Sequence, residues 1–530
     1  MKKIDIFVLF CLLIFSILLY SFTYDRGISL HDEGRDVDAF VKILDGKMVY
    51  RDFRWVHGPS ALYLHSLVFK LCGINLLYIR QFLIVVALLV MLLSYILARF
   101  ILPPIYSGIA ALLSIGFYGF PQYTSDHIYG TLFGLVAAMY TLKYFIQQKK
   151  TIYLYLSGIS TGLVFGFIHP IGVQVYLAIA LYIVLMSKNI KLLFQYTIYT
   201  ALSVIIIYLY FLVNVPWNIL YENLNPLWKL KNFTHVNNNL PSILSIFPGD
   251  LSAASFNLWR IALLIWMPVI FTGTVFVVLF YRFHKEKFDS VENKVLLLFV
   301  VYQPIMLLKL FLDKGIEGIV FYAQVGMILA VYTSYLLIQN LNKNRLIFFA
   351  PLKFLIIICL GLLYLVEIVP FSIAHYYGFK SDYKLQFERA TVYVNSKIGE
   401  TIVDTVEYIK NNTAKSDKVI FADYYPMFNF LTDRDNPLYD NEMTPGVFRD
   451  ITMENDAIET IKSSGVKYFV FVRPTFGPEK AEGWGPYVFG KTYAVSLVNY
   501  IKENYHIEKE FGDISYPPSS LKVILYRRNY

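Results

Sequence analysis

The sequence predicts an α-helical polytopic membrane protein that carries a C-terminal extracytoplasmic α/β domain. Three observations lead there. Of 530 residues, 57% are hydrophobic and only 16% charged, against roughly 25% charge in an average soluble domain. Eleven runs are largely apolar and of about the length that crosses ~30 Å of hydrocarbon as a helix, which takes about 20 residues. The charge is also unevenly divided: residues 1–370 hold 28 Lys and Arg with 17 Asp and Glu, whereas residues 371–530 hold 19 with 21. The first stretch has the composition of a membrane domain and the last 160 residues that of a soluble one. A secreted disulfide scaffold, a disordered chain and a cytosolic multidomain enzyme are excluded.

The apolar runs fall near residues 4–24, 78–98, 105–122, 128–146, 152–169, 171–187, 192–213, 259–281, 295–312, 316–338 and 346–369, some of them short. The first follows Lys2-Lys3 and lacks a small-residue cleavage site, so it reads as an uncleaved anchor. One set of alternate connections carries Lys2/Lys3, Arg99, Lys149/Lys150, Lys188/Lys191, Arg282/Lys285/Lys287/Lys294 and Lys343/Arg345. The opposite set carries Asp126, His169-Pro170 and Asp313/Lys314/Glu317. Basic loops favour the cytoplasm, so the N-terminus is expected inside and the tail outside. Two long connections, 25–77 and 214–258, fall outside with it. The net +9 therefore marks topology, and no nucleic-acid partner is expected. The three cysteines, Cys11, Cys72 and Cys359, form neither a disulfide framework nor a zinc spacing.

The tail alternates helical and strand-like segments. Residues 401–411 and 454–464 have helical spacing, the second stopping at Gly465, a good helix C-cap. Residues 418–423, 466–473 and 521–527 read as strands, and 491–505 continues the alternation. Aromatic residues crowd 421–430 and 468–489. They suit a core packed against the membrane surface, or a platform for sugar stacking.

Chemistry concentrates in the first loop, DRGISLHDEGRDVDAFVKILDGKMVYRDFRWVHGP over residues 25–59. Asp25, Asp32, Glu33, Asp36, Asp38, Asp45 and Asp52 alternate there with Arg26, Arg35, Lys42, Lys47, Arg51 and Arg54. A water-facing loop is expected to be charged, but that does not account for the consecutive His31-Asp32-Glu33. The order apolar span, Asp-Glu-Gly-Arg, Leu-Asp-Gly-Lys, Tyr50-Arg51-Asp52-Phe53 and Gly-Pro-Ser-Ala-Leu-Tyr-Leu resembles the polytopic glycosyltransferases of the GT-C superfamily. Within it the chain is similar to protein O-mannosyltransferase-like enzymes and to the aminoarabinose transferases of lipid A. Asp126-His127 matches a second acidic position of those families, and Gly162, Gly166 and His169-Pro170 resemble their small-residue span. VIFADYYPMFNFLTDRDNP echoes their strand, aromatic segment and Gly-Arg-x-x-Pro-like turn. Asp36 departs from a common Tyr, and Thr432-Asp433-Arg434 lacks the usual glycine.

The resemblance implies an integral-membrane glycosyltransferase that takes a sugar from a polyprenyl-phosphate donor to a hydroxyl of a protein, lipid or glycan, with no cofactor. Such a reaction needs a base for the acceptor proton, cations for the departing phosphate and an apolar groove for the lipid among the helices. The resemblance puts Asp32 in the role of base, with Glu33 and Asp126 as further carboxylates at the catalytic site. Arg35, Arg51, Arg54, His57 and His169 are the candidates for donor phosphate. Arg35 follows Asp32 by three residues and would share its helix face. For Arg51 and Arg54 a solvated or headgroup-binding loop face is an equal reading. For His169 the alternative is a buried residue at a helix end. His31 and His127 lie beside carboxylates without metal-ligand spacing, so no metal is expected. Trp217 and Trp228 in loop 214–258 suit interfacial anchors or a gate over the donor. A flippase of lipid-linked sugars would place ionisable residues near the midplane and show related repeats, and neither is visible. A glycan polymerase or ligase would rely on Arg and His in the central outer loop, which is poor in both.

Overall fold

The computed structural model describes residues 3–116, 125–147, 150–187, 189–225, 253–285, 290–313, 323–343, 382–440, 442–445, 448, 450–474, 488–513 and 521–529. Ten of the expected apolar runs coincide with helices: α1 (Lys3–Ser21), α4 (Leu76–Ala98), α5 (Pro104–Gly116), α6 (Ser125–Ile146), α7 (Thr151–Phe167), α8 (His169–Ser187), α9 (Ile190–Asn214), α11 (Ala253–Lys285), α12 (Val291–Asp313) and α13 (Gln324–Lys343). By length and apolarity α1, α4, α8, α9 and the Val291–Leu308 part of α12 are each sufficient to cross a membrane. The run 346–369, the domain boundary at 370, Trp228 and most of loop 214–258 lie outside the described residues.

The bundle is held as a membrane protein should be. α1 turns Phe7, Phe10, Ile17 and Leu18 outward, while its Asp5 faces in and accepts from Tyr95 Oη and Arg99 Nε, each at 2.7 Å. An inward, paired carboxylate is the tolerable form of charge beside lipid. Hydroxyl pairs cross between helices, Thr141 with Ser157 at 2.7 Å and Thr161 with Tyr196 at 2.8 Å, where lipid offers no competing partner.

Three helices belong to the loops: α2 (Asp32–Leu44) and α3 (Ser60–Cys72) in the first, and α10 (Trp217–Leu224) after α9. The soluble part opens with a hairpin, β1 (Tyr383–Phe387) and β2 (Ala390–Val394), which the sequence reading missed. Then come α14 (Ser396–Asn412), β3 (Val419–Ala422), α15 (Met427–Thr432), α16 (Ile451–Ser464), β4 (Tyr468–Pro474), α17 (Val495–Asn504), β5 (Tyr505–Phe511) and β6 (Leu521–Arg528). Helix α14 buries Ile402, Val406 and Ile409 at helical spacing, and Asn395 caps it by accepting from Lys397 N–H at 3.0 Å. Asp450 caps α16 through the N–H groups of Thr452 and Met453, and Gly465 ends it in the left-handed region. The sheet order is β3-β4-β6-β5, with β3 and β4 parallel and the other pairs antiparallel. Asp433 supplies the left-handed residue after α15, at φ 56°. Aspartate is among the few side chains that tolerate this conformation, which accounts for the missing glycine.

The connections expected on one side do gather at one end of the bundle. The backbone of Asp25–Gly27 pairs with Tyr393 of β2, Gly58 N–H donates to Phe167 O at 3.0 Å, and Asn223 of α10 bonds Trp55 N–H and Tyr439 Oη. The soluble domain sits on that same end.

Candidate active site

A buried ion pair fixes the first loop. Arg80, near the start of α4 and 1% exposed, donates to both carboxylate oxygens of Glu33 at 2.8 and 2.9 Å. Its other protons reach the carbonyls of Tyr24, Arg26 and Gly27 at 2.9–3.3 Å. A guanidinium satisfied this completely ties the loop to the bundle. Glu33, expected with Asp32 at the reacting centre, is committed to this pair. Consecutive helical residues do not face each other, so Asp32 and Glu33 leave α2 on different sides.

The other side of α2 carries the cluster. Asp32 lies in the first turn, and its Oδ1 accepts from Tyr424 Oη at 2.6 Å. Arg35 Nη1 lies 3.7 Å from the same oxygen, as the three-residue spacing predicts. Arg35 is buried, pairs with Asp36 at 2.8 Å and with Glu442 at 3.3 Å, and lies over the Trp55 ring at 4.9 Å. Burial pushes the Asp36 carboxyl up to about 7 against the opposing pull of Arg35, and the charges of Asp126 and Asp32 add to the rise. Asp126, in the first turn of α6, is 3.2 Å from His57 Nδ1. Asp32, Arg35, His57 and Asp126 are thus brought together around Asp36. His31 packs at a tilt against Tyr425 and Tyr424, with ring centroids 4.6 and 5.7 Å away, and burial holds its imidazole below the ordinary histidine value against the pull of Asp32.

The soluble domain closes this cluster because α15 touches α2 at Gly34. A Cβ there would lie 2.3 Å from Met427 N and 2.7 Å from its Cα, so only glycine admits the approach. Gly58 is equally constrained, since its Cβ would come within 2.1 Å of Gly166 O.

The remaining candidates, Arg51, Arg54 and His169, are placed as follows. Tyr50 is buried with φ 69° and donates to His57 O at 2.6 Å. This left-handed turn sends Arg51 outward to an exposed pair with Asp52 at 2.8 Å. Arg54 turns inward, pairs with Asp440 and with Glu222 at 3.2 Å, and packs on Tyr439. Arg54, Arg35, Phe53, Trp55, Val56 and Glu442 line a shallow cleft. His169 is half-buried at the first residue of α8. Asp36, at i+4 from Asp32, could have been found from helical spacing. Tyr424 and Glu442 had no local signal beyond the aromatic richness around residue 424.

No family model matches the chain by sequence, nor does any curated protein. Solved structures do. The Archaeoglobus fulgidus oligosaccharyltransferase in complex with Zn and sulfate aligns over 88% of this chain and 67% of its own, with TM-score 0.56 and 15% identity. ArnT from Cupriavidus metallidurans bound to undecaprenyl phosphate aligns over 97% of both chains, with TM-score 0.57 and 10% identity. The chain has the GT-C fold. A further oligosaccharyltransferase structure, AglB of A. fulgidus with an inhibitory peptide and a dolichol-phosphate, aligns over all of this chain and 74% of its own at TM-score 0.54 and 13% identity. Zinc in one neighbour raises the question of a metal here. Among the described residues no group of three or more His, Cys, Asp or Glu side chains is placed to hold an ion, and the clustered carboxylates face Arg35, His57 or Tyr424 instead.

Proposed function

We propose that the chain is a membrane glycosyltransferase that moves a sugar from a polyprenyl-phosphate donor to a hydroxyl acceptor at the extracytoplasmic face, with inversion. The observation that carries this is Asp32, an aspartate 36% exposed at the meeting point of the loop and the soluble domain. Its fold is shared with proteins solved with undecaprenyl phosphate and with dolichol-phosphate. Asp32 takes the acceptor hydroxyl proton as that oxygen attacks the anomeric carbon. The bond from that carbon to the phosphate oxygen breaks, and its electron pair leaves on the lipid phosphate. Base assistance of this kind contributes about 10²–10⁴-fold.

Arg35, a cation, and His57, a ring that can donate a hydrogen bond, lie at the cluster and would meet the departing phosphate. Arg35 shares three carboxylates in the free protein, so a donor phosphate competes with Glu442 and Asp36 for it. Arg54 is committed to Asp440 and Glu222 and Arg51 faces outward, which leaves both better suited to holding the loop. Asp126 orients His57. The acceptor is a protein, lipid or glycan bearing a free hydroxyl, and the donor lipid reaches the site by lateral diffusion between helices. The N-terminus lies in the cytoplasm and the soluble domain outside, following the basic loops.

The test is transfer by purified protein in lipid nanodiscs from a panel of polyprenyl-phosphate sugars. Asp32→Asn should fold and lose transfer by at least about 100-fold. Retained activity removes Asp32 from the role of base, and a wild type inert towards the whole panel counts against the reaction class.

A further inference from the structure

We propose that Tyr424 of the soluble domain is a positioning residue for the base: its hydroxyl holds one oxygen of Asp32 so that the other faces the acceptor. The proposal rests on the reading of Asp32 as base. Tyr424 Oη and Arg35 Nη1 both address Oδ1, and the Asp32 side chain still keeps 36% of its surface open. A carboxylate held through one oxygen presents the second in a fixed direction, and pre-orientation of this kind lowers the barrier to proton transfer.

Tyr424 is suited to this. It is 6% exposed, and burial, with the Asp32 and Glu442 charges adding, keeps its hydroxyl protonated well above the ordinary tyrosine range. It therefore donates throughout the physiological range. The backbone that presents it is fixed on both sides, by β3 before it and by Met427 N–H donating to Leu30 O at 3.3 Å after it. A hydrogen bond donated to a carboxylate favours its charged form, so removing the Tyr424 hydroxyl acts on the carboxylate it contacts at 2.6 Å. The groups facing Asp32 are His31, Arg35 and Asp36 from the loop and Tyr424 from the soluble domain, with Glu442 reaching the same Arg35 and Tyr424. The soluble domain is on this account part of the reacting centre, which cannot be complete in the membrane helices alone.

Tyr424→Phe keeps the ring and removes the hydroxyl. In the full chain in nanodiscs kcat/KM should fall about 10- to 100-fold, as for loss of a hydrogen bond to a charged group. The acid limb of its pH profile should move upward, because the charged carboxylate loses a donor. Tyr439→Phe removes a second hydroxyl from the same domain contact, where it donates to Tyr50 O at 2.7 Å, and should leave that limb in place. An infrared titration of the Asp32 carboxyl, with Asp32→Asn subtracted, gives the same answer without turnover. An unmoved titration and acid limb in Tyr424→Phe overturn the proposal, as does an equal shift in Tyr439→Phe. Wild-type transfer by Asp32→Asn instead overturns the base assignment, so the two failures are distinct.

Discussion

Glu33→Ala should damage the fold before it damages the chemistry. The substitution leaves the Arg80 guanidinium, 1% exposed, with three carbonyl partners and no counter-charge. Its two bonds to Glu33, at 2.8 and 2.9 Å, are both charge-assisted, and Glu33 is itself only 5% exposed. Breaking a buried pair by removing one partner costs about 3–5 kcal/mol. That is a large share of the ~5–15 kcal/mol that holds a typical domain together. Thermal unfolding in nanodiscs, followed by protease accessibility of the first loop, reads the effect, and the midpoint should drop by many degrees. Replacing both partners, Glu33→Leu with Arg80→Met, should recover part of the loss, because no lone charge then remains. Recovery is incomplete because the carbonyls of Tyr24, Arg26 and Gly27 lose their donor. A variant that unfolds like the wild type but transfers no sugar would refute this reasoning and return Glu33 to the reacting centre.

Two further outcomes follow from the cluster. The Asp36 carboxyl is raised from 3.8 to about 7, so its contribution to stability is full below about pH 4 and is lost as pH rises through about 7. The thermal midpoint of wild type relative to Asp36→Asn should therefore fall across that window and level off above it, and a flat difference would contradict the burial assigned to Asp36. Gly34→Val places a Cβ 2.3 Å from Met427 N and must push α15 off α2. Faster hydrogen exchange at the Met427 amide, which donates to Leu30 O, is the expected sign, and unchanged protection there would show that the contact yields at no cost.

Much of this was legible from local pattern. Apolar runs marked the helices, and period and capping marked α14, α16, β3, β4 and β6. The dense mixture of charge marked the loop, and Asp32 and Arg35 fell on one face as their spacing requires. What local pattern does not encode is which charges meet. Glu33 and Arg80 are 47 positions apart and Tyr424 and Asp32 are 392 apart, and nothing in the spacing of either pair announces the contact. Arg51 and Arg54 look equivalent in sequence. The left-handed Tyr50 turn sends one to solvent and the other into the domain contact. The β1–β2 hairpin was missed because its five-residue strands are short and only half buried on alternate faces.

The stitching of Asp25–Gly27 to Tyr393, with Gly34 against Met427, has a consequence for how such chains diverge and can be recombined. Grafting the C-terminal domain of one chain onto the helices of another would part Tyr424 from its own α2 and meet a foreign residue at position 34. Residues 25–59 and 390–442 therefore form a single unit of exchange despite the eleven helices that the described residues place between α2 and β1. A chimera that moves both segments together should retain the contact that a cut at the apparent domain boundary destroys.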